Sequence, residues 1–450
     1  MARRVTTVVA SLGALALVTG CSWSRFDDVS EESPVVLLKR PGSLSSGFGF
    51  GVAALTGPDG TTELISGGPP GRHGAAVFRL GSGDQPRVDA SDTGQCKNAE
   101  DPCYLAASFA GIILSTAPSA PAQRCFVSGI GSSQGSGNGL VTRCDDTTEF
   151  VLAVPPAVKS QLIEPAVANG EAEPFVLRSD KGASPALVAG AENQRLAWFY
   201  APGSTEPVEL VPPGGGAETS YGAAVVSLRS GAGRIFAVSA PAAGHVWLFR
   251  SADGATVESI GCLGGAAGFG RALGSGFVDA DDKDELVIAD ERNVTVLDGK
   301  ALASLAPTSS PSCGMASLPA GALVASFGCG ATPAVSGCDG SGFGASVDVG
   351  DLDGDGDGEI IVGAPRMSAR DVSASGAVLI YDVEGDDRSR LSDVKFISSA
   401  ETGDALGSFV AAARVGTRDI IAAGAPGTGK TALFYCTSLL PPEQQGARCQ

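Results

Sequence analysis

The sequence predicts an all-β chain: a seven-bladed β-propeller closed by pairing of its N- and C-terminal strands. Three observations carry this. Apolar residues recur with period two in short β-branched runs, and helix-period runs are few. The chain holds 63 glycines and 27 prolines, which suits many tight turns. A degenerate unit returns along the chain at a spacing of roughly 45–70 residues, the length of a four-stranded propeller blade.

The first residues lie outside that pattern. Arg3 and Arg4 precede an apolar run from Val5 to Val18, followed by Thr19-Gly20-Cys21. A basic start, a short apolar stretch and small residues before a cysteine read as an export leader. Val18-Thr19-Gly20-Cys21 resembles a bacterial lipobox, which implies lipidation of Cys21; an ordinary signal peptide cut nearby is the plainer alternative. The apolar run is shorter than the roughly 20 residues a membrane-spanning helix needs. Ser22 follows the cysteine in place of Asp; by resemblance to known sorting patterns this favours the outer membrane or cell surface. The expected organisation is residues 1–20 leader, 21–34 polar tether and 35–450 propeller.

Val35–Lys39 is the first strand candidate, and the repeats follow. In each, a Gly/aromatic pair opens an apolar stretch. A polar turn, a β-branched strand, a Gly-Ala-Pro-like turn and a last apolar strand come after it. The first copy is GFGFGVAALTGPDGTTELISGGPPGRHGAAVFRL from Gly47. The second (from Ser108) and third (from Pro174) are degenerate, and the fourth begins at Tyr221. The fifth is GFGRALGSGFVDADDKDELVIADERNVTVLDG from Gly268. The sixth is GFGASVDVGDLDGDGDGEIIVGAP from Gly342, continued by GAVLIYD; the seventh starts at Leu406. After Cys436 little chain remains, so Val35–Lys39 is expected to supply the outer strand of the last blade and remove an exposed edge.

These copies resemble FG-GAP repeats, as in the N-terminal β-propeller of integrin alpha subunits. The matching residues are Gly47-Phe48-Gly49 with Gly67-Gly68-Pro69, Gly268-Phe269-Gly270, Gly342-Phe343-Gly344 with Gly363-Ala364-Pro365, and Gly424-Ala425-Pro426. The resemblance implies Ca²⁺ at a D-x-D-x-D-G-x-x-D/E loop, bound by side chains at loop positions 1, 3, 5 and 9 and the carbonyl at position 7. In the sixth copy these are Asp351, Asp353, Asp355, Glu359 and the carbonyl of Asp357. It also implies that the metal is structural, in loops away from the ligand-binding face.

The residues support a cation independently. Carboxylates on alternate positions repel unless a cation lies among them, and oxygen ligands on a glycine-spaced loop suit Ca²⁺. An EF-hand would need a bidentate Glu at position 12, where Val362 stands in a strand-like run. The fifth copy offers a weaker site. Asp279, Asp281 and Glu285 fall at positions 3, 5 and 9, with Phe277 at position 1 and Lys283 at position 7. The first copy retains only Asp59 and Glu63, and its loop is expected to be metal-free.

Gly424 to Thr431 matches G-x-x-x-x-G-K-[ST] in full. A phosphate loop opens a helix, whereas Ala432–Cys436 reads as a strand, so nucleotide binding is not expected. The two histidines, His73 and His245, accompany no nucleophile motif and read as structural. Trp198, Trp247 and Tyr221 read as packing between blades rather than a sugar platform.

Without Cys21, ten of the eleven cysteines remain, an even number suited to disulfides in an oxidising compartment. Local spacing favours Cys96–Cys103, Cys125–Cys144, Cys329–Cys338 and Cys436–Cys449, leaving Cys262–Cys313. Zinc is the rival, but no Cys-x-x-Cys occurs. Past the leader, 29 basic residues face 49 acidic ones, which argues against nucleic acid. The expected function is a non-catalytic, surface-anchored, calcium-binding adhesion or interaction module for a protein or polysaccharide. The alternative is a hydrolase or lyase working in the propeller's central channel.

Overall fold

A computed structural model describes residues 36–39, 48–57, 60–67, 75–80, 88–92, 104–114, 123–130, 139–144, 149–155, 176–179, 186–192, 194–214, 218–231, 233–279, 281, 283–331, 338–352, 354–368, 372–383, 391–399 and 401–434. Cys21 and the tether, Asp59, His73, Asp353 and the pairs Cys96–Cys103 and Cys436–Cys449 lie outside them. Among the described residues no helix is long and apolar enough to cross a membrane.

The chain is an all-β propeller. Strand β1 is Val36–Lys39. Sheet one is β2 (Gly51–Thr56), β3 (Thr62–Gly67), β4 (Ala75–Leu80) and β5 (Val88–Asp92). Sheet two is β6 (Tyr104–Leu114), β7 (Gln123–Ile130), β8 (Gly139–Cys144) and β9 (Glu149–Leu152). Sheet three is β10 (Val176–Ser179), β11 (Leu187–Ala191), β12 (Leu196–Tyr200) and β13 (Val208–Glu209). Sheet four is β14 (Val225–Ser230), β15 (Gly233–Ala240), β16 (His245–Ser251) and β17 (Glu258–Gly264). Sheet five is β18 (Ala272–Gly276), β19 (Glu285–Ala289), β20 (Asn293–Leu297) and β21 (Leu323–Gly328), with a short helix α1 (Gly299–Ala303) after β20. Sheet six is β22 (Ser346–Gly350), β23 (Glu359–Ala364), β24 (Ala377–Val383) and β25 (Leu391–Ser398). Sheet seven is β26 (Val410–Val415), β27 (Arg418–Ala425), β28 (Lys430–Phe434) and, at its outer edge, β1.

β1 pairs antiparallel with β28, from Val36↔Leu433 to Lys39↔Lys430. The two ends of the chain therefore share one sheet. The innermost strands β2, β6, β10, β14, β18, β22 and β26 each touch the next, and β26 touches β2.

The expectation of a seven-bladed propeller is corrected here to six full blades. Six sheets are full blades, with outer strands of four to eight residues; the third is reduced, because its outer strand β13 holds two residues. It meets β12 only at Trp198↔Glu209 and Phe199↔Val208. The cause is local. Pro202 and Pro207 precede β13, and Pro212 and Pro213 follow it. Proline has no N–H to give a ladder, so four of them close together stop the strand from extending.

The core lies between sheets. Each neighbouring pair shares one apolar cluster. The aromatic that opens a copy fills the interface with the preceding sheet: Phe48 toward sheet seven, Tyr221 toward sheet three, Phe269 toward sheet four and Phe343 toward sheet five.

The glycines of the repeat mark the same interfaces. Gly49 has φ +88°, and a Cβ there would meet Lys430 O at 2.0 Å; a Cβ on Gly424 would meet Gly49 O at 1.9 Å. Gly407 and Gly363 make the same close approach between sheets six and seven. Only glycine lets two backbones come this near. The resemblance to a phosphate loop at Gly424–Thr431 is thus a turn followed by strand β28, with Thr431 fully buried against Ser66.

Three expected disulfides are present: Cys125–Cys144 across β7 and β8, Cys262–Cys313 and Cys329–Cys338.

Candidate metal centre

Two loops that leave inner strands carry the clustered carboxylates. The sixth-sheet loop runs from Asp351 to Glu359. Gly354 and Gly356 sit at φ +83° and +102°, which lets the chain fold back on itself. Asp351 Oδ1 accepts from Gly354 N at 2.7 Å, and Asp355 Oδ1 accepts from Asp357 N at 3.0 Å. Glu359 is buried, and its Oε2 accepts from Leu352 N at 2.7 Å. The loop is tied to sheet seven: Asp351 N donates to Asp419 Oδ2 at 2.9 Å, Asp419 N donates to Asp351 O at 2.7 Å, and Arg414 Nη1 lies 3.4 Å from Asp351 Oδ2.

The resemblance assigns Asp357 a ligand role through its carbonyl. Its side chain also matters, because Oδ1 is buried without a hydrogen-bond partner. Burial, then the charges of Asp355, Asp279, Asp382 and Asp351, push its pKa up. Asp279 belongs to the fifth sheet, so the two acidic loops face each other across one interface. The fit is close: a Cβ on Gly358 would meet Phe277 O at 2.3 Å.

The fifth-sheet loop repeats the frame. Val278 N donates to Glu285 Oε2 at 2.7 Å, as Leu352 N does to Glu359. Lys283 N donates to Asp281 Oδ1 at 2.7 Å, as Asp357 N does to Asp355. Carboxylate oxygens of Asp279, Asp281 and Glu285 all lie within 4.8 Å of one another. Two oxygens bound to one Ca²⁺ at about 2.4 Å can be at most about 4.8 Å apart, so this spacing suits one ion. Glu285 is fully buried, and its Oε1 has no hydrogen-bond partner. Burial drives its pKa up to about 8; the bond from Val278 N opposes the rise, Asp279 and Asp281 add to it, and the Gly299 N–H opposes it. A buried carboxylate with a bare oxygen beside two others is the environment a cation would relieve.

The loop with the weaker sequence match thus has its three carboxylates gathered. Among the described residues the sixth loop forms no comparable group, and its central carboxylate, Asp353, lies outside them. The first loop differs in kind. Arg79 Nη2 lies 2.8 Å from Glu63 Oε1, and Arg124 Nη2 lies 3.7 Å from the same oxygen. Two guanidinium groups thus face the Glu63 carboxylate, an arrangement visible only once the strands are placed.

An axial cavity of about 460 Å³ is lined by the innermost strands. About half of its wall is glycine, alanine or serine, such as Gly274, Gly276 and Ala412. Its carboxylates are engaged: Asp348 Oδ2 accepts from Ala412 N at 2.7 Å, and Asp351 and Asp419 meet each other and Arg414. Arg178 Nη2 reaches from sheet three to Val347 O of sheet six at 3.4 Å. Trp198, Tyr221 and Trp247 are buried. Trp198 Nε1 donates to the Tyr200 hydroxyl and the Tyr221 hydroxyl donates to Leu210 O, so all three pack between sheets. His245 pairs with Glu218.

An FG-GAP repeat model matches residues 343–381, the span from Phe343 through the acidic loop to Tyr381. No curated protein matches the chain. Among solved structures, the chain is similar to the crystal structure of Chaetomium thermophilum Raptor at 10% identity with a TM-score of 0.45, over 89% of this chain and 28% of that one. The fold and the matched repeat together make this chain a β-propeller that carries an FG-GAP repeat.

Proposed function

We propose that the chain is a calcium-stabilised, non-catalytic interaction module held at the cell surface by a lipid on Cys21, where it binds a protein or glycan. The observation that carries the calcium reading is the convergence of Asp279, Asp281 and Glu285 within 4.8 Å around a buried, bare Glu285 Oε1. Those three residues would hold one ion; Asp351, Asp353, Asp355, Glu359 and the Asp357 carbonyl would hold a second. Both loops lie at an interface between sheets, so the ions would offset repulsion between neighbouring sheets rather than meet a ligand. The face that binds a partner is then the one remote from these loops.

Calorimetric titration of chelator-treated protein with Ca²⁺ tests this. Two binding events are expected. Asp281→Asn should remove one, and Asp353→Ala with Asp355→Ala the other. Absence of any Ca²⁺-dependent heat overturns the reading. The alternative, an enzyme of the central channel, has the axial cavity in its favour. We place it second because the carboxylates there are bound to backbone N–H groups and to Arg414.

A further inference from the structure

The Cys262–Cys313 disulfide differs in its surroundings from the other two among the described residues. A ring nitrogen of His245 and both sulfurs lie within 4.8 Å of one another. His245 Nδ1 is 2.8 and 2.9 Å from the two oxygens of Glu218, and Trp247 Nε1 donates to Glu218 Oε2 at 3.1 Å. The carboxylate thus fixes the imidazole, and the indole fixes the carboxylate. A carboxylate behind a histidine is the outer support that zinc-ligating histidines commonly have. His245 opens β16, Cys262 lies in the neighbouring strand β17, and Cys313 sits on the irregular segment 304–314 that lies along the free edge of β17. Thr308 N donates to Ser259 O at 2.8 Å, and Gly314 N donates to Cys262 O at 3.1 Å. The segment therefore stays beside β17 through backbone bonds as well as through the disulfide.

We propose that this cluster is a latent metal site. When the disulfide is reduced, Cys262, Cys313 and His245 bind a soft divalent cation, Zn²⁺, with an open fourth position. Reduction by a dithiol breaks the S–S bond and forms two thiols, and the reductant leaves as its own disulfide. Metal binding then releases the two thiol protons, because zinc takes thiolates. Thiolate and imidazole are the ligand types zinc prefers, and two cysteines with one histidine is a known three-ligand set. The metal replaces a covalent cross-link by a coordinate one, so the segment stays latched to β17 in either redox state. Neither other disulfide has a described histidine near it. The inference is independent of calcium binding.

The test uses the full chain in saturating Ca²⁺, which keeps the acidic loops from competing. Co²⁺ serves as a spectroscopic probe, before and after reduction by a phosphine. Thiolate-to-cobalt charge-transfer absorption is expected only after reduction, bleached by one equivalent of Zn²⁺. Cys313→Ser should abolish it. Glu218→Gln, which leaves all three ligands in place, should keep the band and weaken affinity about 10-fold or more. Zn²⁺ should also raise the melting temperature of the reduced wild type and leave that of reduced His245→Ala unchanged. No band after reduction, or a band and a Zn²⁺-dependent melt that persist unchanged in Cys313→Ser and His245→Ala, would overturn the proposal.

Discussion

Replacing Glu285 by Gln removes a charge while keeping the shape and an oxygen for Val278 N. In the metal-free fold Glu285 holds its proton up to about pH 8, whereas its ordinary value is 4.5. A pKa raised by folding stabilises the fold while the group is protonated. That contribution is complete below about pH 4.5 and is lost as pH rises through 8. At about 1.4 kcal/mol per pH unit, the interval sets a ceiling of about 5 kcal/mol on the loss. Glutamine is neutral throughout, so it should escape the loss. In chelator at pH 8, Glu285→Gln should therefore be more stable than wild type, by up to about 5 kcal/mol, and near pH 4.5 the two should converge. In Ca²⁺ the order should reverse, because the variant lacks the charged ligand. Guanidinium unfolding at pH 5, 6.5 and 8, with chelator and with Ca²⁺, reads all of this. A variant that is no more stable than wild type in chelator at pH 8 refutes the reasoning.

Other outcomes follow from the same geometry. Ca²⁺ at about 100 times its dissociation constant should add about 2.7 kcal/mol per site; Asp353→Ala with Asp355→Ala should lower the calcium-dependent rise in melting temperature, and a full rise in that variant would count against the sixth loop. Gly424→Ala places a methyl 1.9 Å from Gly49 O, and should cost about 1–3 kcal/mol or more, measurable by denaturant midpoint. Arg229 Nη2 lies 2.7 Å from Asp284, whose side chain is 2% exposed. Arg229→Ala leaves the Asp284 carboxylate only the bond from residue 229 N, 2.7 Å from Oδ2, and removes its neighbouring cation, so it should cost up to about 3–5 kcal/mol; a change under about 1 kcal/mol would show that the pair is solvated. Deleting residues 22–40 removes β1 and bares the edge of β28, so the melting temperature should fall sharply; an unchanged melt would mean that the pairing of the two ends contributes little.

Much of this architecture could be read from the chain because its signals are local. Ile360-Ile361-Val362 between a glycine-rich loop and Gly-Ala-Pro can hardly be anything but a buried strand, and β23 is buried throughout. Gly49 and Gly424 stand where two backbones nearly touch, which is why the repeat keeps them. Other features depended on partners remote in sequence. The prolines around Val208–Glu209 stand in the sequence, yet the repeat pattern is carried by the first three strands of each copy, and an outer strand contributes little to it. The fifth loop looked weak because Phe277 occupies its first position. What holds its frame is the bond from Val278 N to Glu285, which does not depend on that position. Arg79 and Arg124 beside Glu63, and Asp279 facing Asp357, come from different strands and sheets and needed the fold to bring them together. The Cys262–Cys313 pair is 51 residues apart, too far for local spacing alone to mark it.

Whether the fifth-sheet loop holds a calcium ion, as proposed, can be seen directly. A crystal structure grown in Ca²⁺ tests it most directly. The expected result is a peak of density bound at about 2.3–2.6 Å by oxygens of Asp279, Asp281 and Glu285, with Glu285 Oε1 among the ligands. A water at that position, or Glu285 Oε1 turned to a protein donor instead, would contradict it.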